Sequence, residues 1–111
     1  MSHKQNQELL DQLNNCAALC NHCATACLEE DDVKMMARCI KLDTDCAEMC
    51  RVTASFVARG SEHAPHLLRE CAEICAACAE ECEKHAGMEH CRECAESCRA
   101  CAEACASLVE A

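Results

Sequence analysis

The 111-residue sequence has no tryptophan, no tyrosine, one phenylalanine, one proline and two glycines. A nucleic-acid partner is disfavoured, because phosphate binding needs a basic face and usually stacking rings, and this chain carries a net charge of −10. No segment approaches the roughly 20 consecutive apolar residues that span a bilayer, so no membrane partner is expected. The first fifteen residues, MSHKQNQELLDQLNN, lack the continuous apolar region and small-residue cleavage site of a secretory signal. A cytoplasmic location is therefore expected. Leu, Ile, Val and Phe together supply only 16 residues, a share that with this charge would by itself suggest disorder.

Other residues argue for a fold. Ala, Glu, Gln, Lys, Arg and Leu, all strong helix formers, dominate what remains. Sixteen residues are cysteine, a side chain that buries readily as a small hydrophobe. Cys and Ala remove little apolar area each, so the core is thin and bound metal is expected to supply part of the folding energy.

The cysteines recur at intervals of three and four: Cys16, Cys20, Cys23, Cys27; Cys39, Cys46, Cys50; Cys71, Cys75, Cys78, Cys82; Cys91, Cys94, Cys98, Cys101, Cys105. At about 100° per residue, the first and third sets each fall within an arc of about 60°. The thiols form one stripe per helix, where leucines would ordinarily lie. Glu29, Glu30, Asp31 and Asp32 can end one helix and cap the next, Gly60 suits a helix C′ position, Pro65 a first turn, and Gly87 the close of a third helix. The expected helices are about 4–29, 32–59, 65–85 and 88–109. Their short connections predict a single all-α domain over 1–111, an antiparallel up-down-up-down four-helix bundle with a Cys-lined core.

The two ends of this bundle differ. Leu9, Leu13, Phe56, Val57, Leu67, Leu68, Leu108 and Val109 fall together as an apolar plug. Cys27, Met35, Met36, His85, Met88 and His90 fall at the other end, a candidate mouth. Methionine also fills gaps in ordinary cores, so two readings of Met35, Met36 and Met88 stand, packing and metal guidance. His22 projects away from its stripe and is expected at the surface. His63 and His66 lie in the loop by the plug, with a local role expected. Arg69, Glu70, Arg92 and Glu93 read as a solvated outer face.

Cysteines one helical turn apart have Cβ atoms about 5–6 Å apart, close enough for their thiolates to share an ion. Soft thiolates select Cu(I), Zn(II) or iron–sulfur clusters. Zinc held by four thiolates carries a net −2, costly in a buried core, whereas one Cu(I) per thiolate is neutral. Multiple Cu(I) ions, on the order of one per cysteine, fit best. Iron–sulfur binding is disfavoured because the C-x2-C-x2-C-x3-C spacing is absent. Regular in-helix spacing is unlike a disulfide scaffold, and no βαβ pattern supports a thioredoxin-like role. A thiol redox or regulatory module and a zinc or mixed-metal buffer remain as alternatives to copper binding.

Cys-lined helices with C-x3-C-x2-C-x3-C stripes, a plugged end and a Met/His-rich end resemble the bacterial copper storage proteins, across essentially the whole chain. The resemblance is to the cytosolic branch of that family. It implies a non-enzymatic protein of copper homeostasis that stores or detoxifies Cu(I), a homotetramer, and copper admission at the mouth. Whether a copper chaperone or efflux partner delivers or removes the metal is left open by the sequence. The core thiolate role falls on the sixteen cysteines, and the guiding role on Met35, Met36, His85, Met88 and His90. One position departs from the pattern. Asp43 stands where a stripe cysteine is expected, and a carboxylate is a hard, poor ligand for Cu(I). Accepting a hydrogen bond, pairing with a cation and interrupting the metal chain are all open to it.

Overall fold

The computed structural model describes residues 3–110, with side chains described from 6 to 109. Four α-helices follow in order: α1 (His3–Leu28), α2 (Ala37–Ala58), α3 (Ala64–Glu83) and α4 (Glu89–Glu110), with a 3-10 turn at Val33–Met36 ahead of α2. The 26 residues of α1 rise about 39 Å, and the bundle measures 45 × 20 × 20 Å. Each helix packs its backbone on two neighbours, and among the described residues the diagonal helices α2 and α4 meet only through side chains that reach the axis. That is an up-down-up-down bundle. No helix among the described residues is long and apolar enough to cross a membrane.

The alternating three- and four-residue spacing is the seven-residue period of a bundle seam, so each stripe stays turned to the common axis. Ala17, Ala47, Ala79, Ala95 and Ala102 are buried on the helix flanks, where small side chains allow close approach. At the closed end Leu9, Leu13, Val57 and Leu68 are buried. Phe56, Leu67, Leu108 and Val109 are half-buried around them. The Arg59 guanidinium lies 4.7 Å from the centre of the Phe56 ring, covering its outer face.

Chain reversals are built differently at the two ends. Gly60 has φ +65°, and Ser61 N–H donates to Phe56 C=O at 3.0 Å while Gly60 N–H donates to Val57 C=O at 3.0 Å. This is the Schellman arrangement, which needs a left-handed residue at C′. Pro65 sits in the first turn of α3, where its missing N–H costs nothing. At the other end α3 stops at Glu83, short of the expected 85, and Gly87 is not left-handed. Lys84 N–H to Glu81 C=O (3.1 Å) and His85 N–H to Cys82 C=O (2.9 Å) tighten the last turn instead, satisfying its carbonyls without a glycine. Helix α2 begins at Ala37 rather than near 32, because Asp32 caps the 3-10 turn, its carboxylate accepting from Met35 N–H at 3.3 Å.

Candidate metal centre

All sixteen thiols are buried with no exposed surface, and all are free. From the closed end inward, Cys71 lies 3.8 Å from both Cys50 and Cys75, and Cys75 lies 3.3 Å from Cys46. Cys98 then approaches Cys16 (3.7 Å), Cys20 (3.5 Å), Cys46 (3.9 Å) and Cys94 (3.8 Å). Nearer the mouth Cys39 and Cys82 are 3.5 Å apart. Cys105 stands beside Cys71 and Cys101. The sulfurs fall into overlapping groups of four whose members lie within 4.8 Å of one another: Cys16, Cys46, Cys50, Cys75; Cys16, Cys20, Cys46, Cys98; Cys20, Cys78, Cys94, Cys98; Cys50, Cys71, Cys75, Cys101. Shared members make this a continuous lattice of soft donors rather than a row of separate sites.

Asp43 is fully buried inside that lattice. Its Oδ1 accepts from the thiols of Cys78 (3.1 Å), Cys94 (3.4 Å) and Cys82 (3.5 Å), and its Oδ2 from Cys39 (3.7 Å). Of the three roles open to it from sequence, the geometry shows the hydrogen-bond acceptor, with no cation paired to it among the described residues. Burial, reinforced by the charge of Cys94, pushes its carboxyl up to about 8. The group is therefore largely protonated at neutral pH, and its stripe position is held by polar contacts to four sulfurs.

The six residues expected at the mouth do not behave alike. Cys27 is buried, and Met36 is buried against the thiol core while Met35, one residue earlier, is 53% exposed. Met88 is half-buried against the core. His90 reaches the thiols: its Nδ1 lies 3.5 Å from Cys23, 3.5 Å from Cys91 and 3.9 Å from Cys27. Its Nε2 lies 2.9 Å from the Glu30 carboxylate. His85 instead places Nε2 3.1 Å from Glu81 and makes no hydrogen bond to a thiol among the described residues. Glu81 is buried and also takes Arg38 (3.2 Å) and Lys84 (3.3 Å). Burial pushes its carboxyl pKa up, but the hydrogen bonds and charges of His85 and Lys84 outweigh that and hold the carboxyl below its ordinary range.

Glu30 and Glu81 are the two site residues that sequence reasoning did not single out. The Glu81–His85 spacing of four is a readable helical pair. Glu30 and His90 are 60 residues apart, and no local pattern joins them. His22 is exposed, as are His63 and His66, whose rings stack at 6.2 Å.

Burial also raises the thiols nearest the mouth. Cys27 is pushed up by burial and by the charges of Cys39 and Cys91, and Cys91 is pushed up to about 11 by burial and by Cys39. Metal binding here must therefore expel protons as thiolates form.

A family model described as copper storage protein matches residues 2–110. A cytosolic copper storage protein from Streptomyces lividans, solved with five coppers, superposes with a TM-score of 0.92 at 41% identity, covering 97% of this chain and 94% of that one. The Cu(I)-bound copper storage protein 3 of Bacillus subtilis does so with a TM-score of 0.89 at 36% identity, covering 95% and 98%. An uncharacterized cysteine-rich protein of Bacillus subtilis is 40% identical over 78 residues, 70% of this chain and 71% of the relative. With its thiol-lined four-helix bundle and this match along almost its whole length, the chain belongs to the copper storage protein family.

Proposed function

We propose that this protein binds and stores Cu(I) in the cytosol at high capacity, without catalysis, along the thiolate lattice of its core. One observation carries the reading. Overlapping four-sulfur groups run through a core in which, among the described residues, no Lys or Arg is buried. Thiolates formed there have no side-chain cation to neutralise them, so the guest must bring the charge. One monovalent copper per thiolate leaves the interior neutral, while a divalent ion in each four-thiolate group leaves −2 in a dry core. Sulfur-to-sulfur steps of 3.3–4.0 Å let an ion pass between thiolates by exchange without entering water.

The sixteen cysteines are the storage ligands in this reading. His90 is the first donor met from outside, and Met36 and Met88 line the way behind it, with His85 and Met35 flanking it. Assembly as a homotetramer is part of the proposal and rests on the family resemblance. The net charge of −10 disfavours nucleic acid as a partner, and copper ions are the cargo.

Anaerobic titration of the fully reduced protein with Cu(I) against a chromophoric chelator tests the reading. Uptake is expected to approach one ion per thiol. Saturation near four ions, with zinc competing equally, would overturn it, and rapid formation of reversible disulfides with helicity preserved would favour a redox module.

A further inference from the structure

The mouth group differs in kind from the sulfur lattice behind it. Cys23, Cys27, Cys91 and His90 form a further four-donor group, of mixed nitrogen and sulfur, whose donor atoms lie within 4.8 Å of one another. The sulfur pairs are 3.8 Å (Cys23–Cys27), 3.8 Å (Cys23–Cys91) and 4.0 Å (Cys27–Cys91). The Nδ1 separations are 3.5 Å to Cys23, 3.5 Å to Cys91 and 3.9 Å to Cys27. A tetrahedral zinc ion has bonds of about 2.3 Å to sulfur and about 2.0–2.1 Å to nitrogen, which require edges of about 3.8 Å and about 3.5 Å. Four of the six edges match to a rounding error, and the other two, both to Cys27, are longer by a few tenths of an ångström. A side-chain rotation at Cys27 closes that difference.

Three further features suit a divalent ion at this position. A carboxylate accepts, so the 2.9 Å contact to Glu30 places the His90 proton on Nε2 and turns the Nδ1 lone pair toward the three sulfurs. A carboxylate behind a ligating imidazole is the usual support of a zinc site. Charge is favourable as well, because three thiolates and a neutral imidazole around Zn(II) leave only −1. The His90 side chain is 14% exposed, so that charge lies at the boundary and not in the dry interior. A surface cleft lined by His22, Ala26, Glu89, His90 and Glu93 borders the imidazole and carries two exposed carboxylates.

We propose that Cys23, Cys27, Cys91 and His90 form a preformed tetrahedral site for one zinc-class divalent ion at the mouth of the bundle, with Glu30 as its positioning residue. Binding replaces three S–H protons with three metal–sulfur bonds, and the three protons leave to solvent. This site does not depend on copper filling the lattice. It adds a second class of metal to the molecule and places it across the path into the core.

The test uses the full chain, reduced, metal-free and anaerobic, titrated with Co(II) alone and then back-titrated with Zn(II). One tight equivalent is expected, with the visible bands of tetrahedral cobalt and a sulfur-to-cobalt charge-transfer band, both erased by one equivalent of zinc. His90→Ala should abolish that first equivalent. Glu30→Gln should weaken it by about 10–100-fold while leaving the melting curve of the metal-free protein in place. His63→Ala, at the opposite end, should leave it unchanged. Should His90→Ala fail to fold, Glu30→Gln decides alone. A first equivalent unaltered in folded His90→Ala or in Glu30→Gln overturns the site, as does cobalt filling several equal positions with an all-sulfur spectrum. Cu(I) capacity of the unaltered, metal-free chain, measured separately, tests the storage reading, so failure of the zinc site and failure of that reading are told apart.

Discussion

The two ends of the bundle continue the same four stripes with opposite chemistry. At the closed end Leu9, Leu13, Val57 and Leu68 carry the stripes on as apolar side chains with no polar partner to satisfy. At the mouth they run out into His90 held by Glu30, and His85 held by Glu81 with Arg38 and Lys84. Apolar packing is non-directional and excludes water, so it seals. Imidazole–carboxylate pairs bordering solvent exclude less water and can trade a proton or a ligand, so that end exchanges. The polarity of the molecule comes from how each stripe is continued, and not from the sixteen thiols, which are equally buried throughout.

The largest expected effect breaks this comparison in the mouth half, at Asp43. Its carboxyl is held near 8 against an ordinary 3.8, so the folded state takes the neutral form. Stability linked to this group is fully present below pH 4 and is lost as pH rises through 8. The difference amounts to on the order of 5 kcal/mol at pH 8. Asp43→Asn removes the ionisation and keeps the shape. Denaturation of the metal-free protein is expected to show the variant several kcal/mol more stable at pH 8, with the gap closing toward pH 4. A gap independent of pH would mean that Asp43 ionises as freely in the fold as outside it.

At the closed end the next effect is a loss. Leu13 is fully buried in a core with little other branched side chain to fill a void. Leu13→Ala should cost the metal-free protein about 2–5 kcal/mol in chemical denaturation. Because no thiol is touched, Cu(I) capacity should be unchanged, and copper loading should restore most of the lost melting temperature by mass action. Lost capacity would show that the plug also shapes the metal lattice.

The thiol stripes were legible in the sequence because a period of three and four residues has one reading on a helix, and four stripes have one common place to face. Legibility fails where neighbours in sequence diverge in space. Met35 and Met36 read alike, but adjacent residues in a helical turn point in different directions, and the 3-10 turn capped by Asp32 delivers Met36 to the core and leaves Met35 in solvent. Asp43 was visible as a break in its stripe, yet its role depends on thiols from α2, α3 and α4, which only the assembled bundle brings to one carboxylate. The Glu30–His90 pair joins the start of one hairpin connection to the first turn of another helix, a contact without any local signature.

The smallest effect separates the two ends at their glycines. Neither Gly60 nor Gly87 has an atom within 4 Å of where a Cβ would be, so packing does not distinguish them and only the backbone does. Gly60 is left-handed, and an alanine there carries about 1–2 kcal/mol of strain. Gly87 is not left-handed, and an alanine there restricts the unfolded chain without straining the folded one, a gain of about 0.4–1 kcal/mol. Paired denaturation curves of Gly60→Ala and Gly87→Ala should therefore move in opposite directions. Equal losses would mean that the reversal at the mouth needs its glycine as much as the one at the plug, and the two ends would be built alike in backbone even though they differ in side chains.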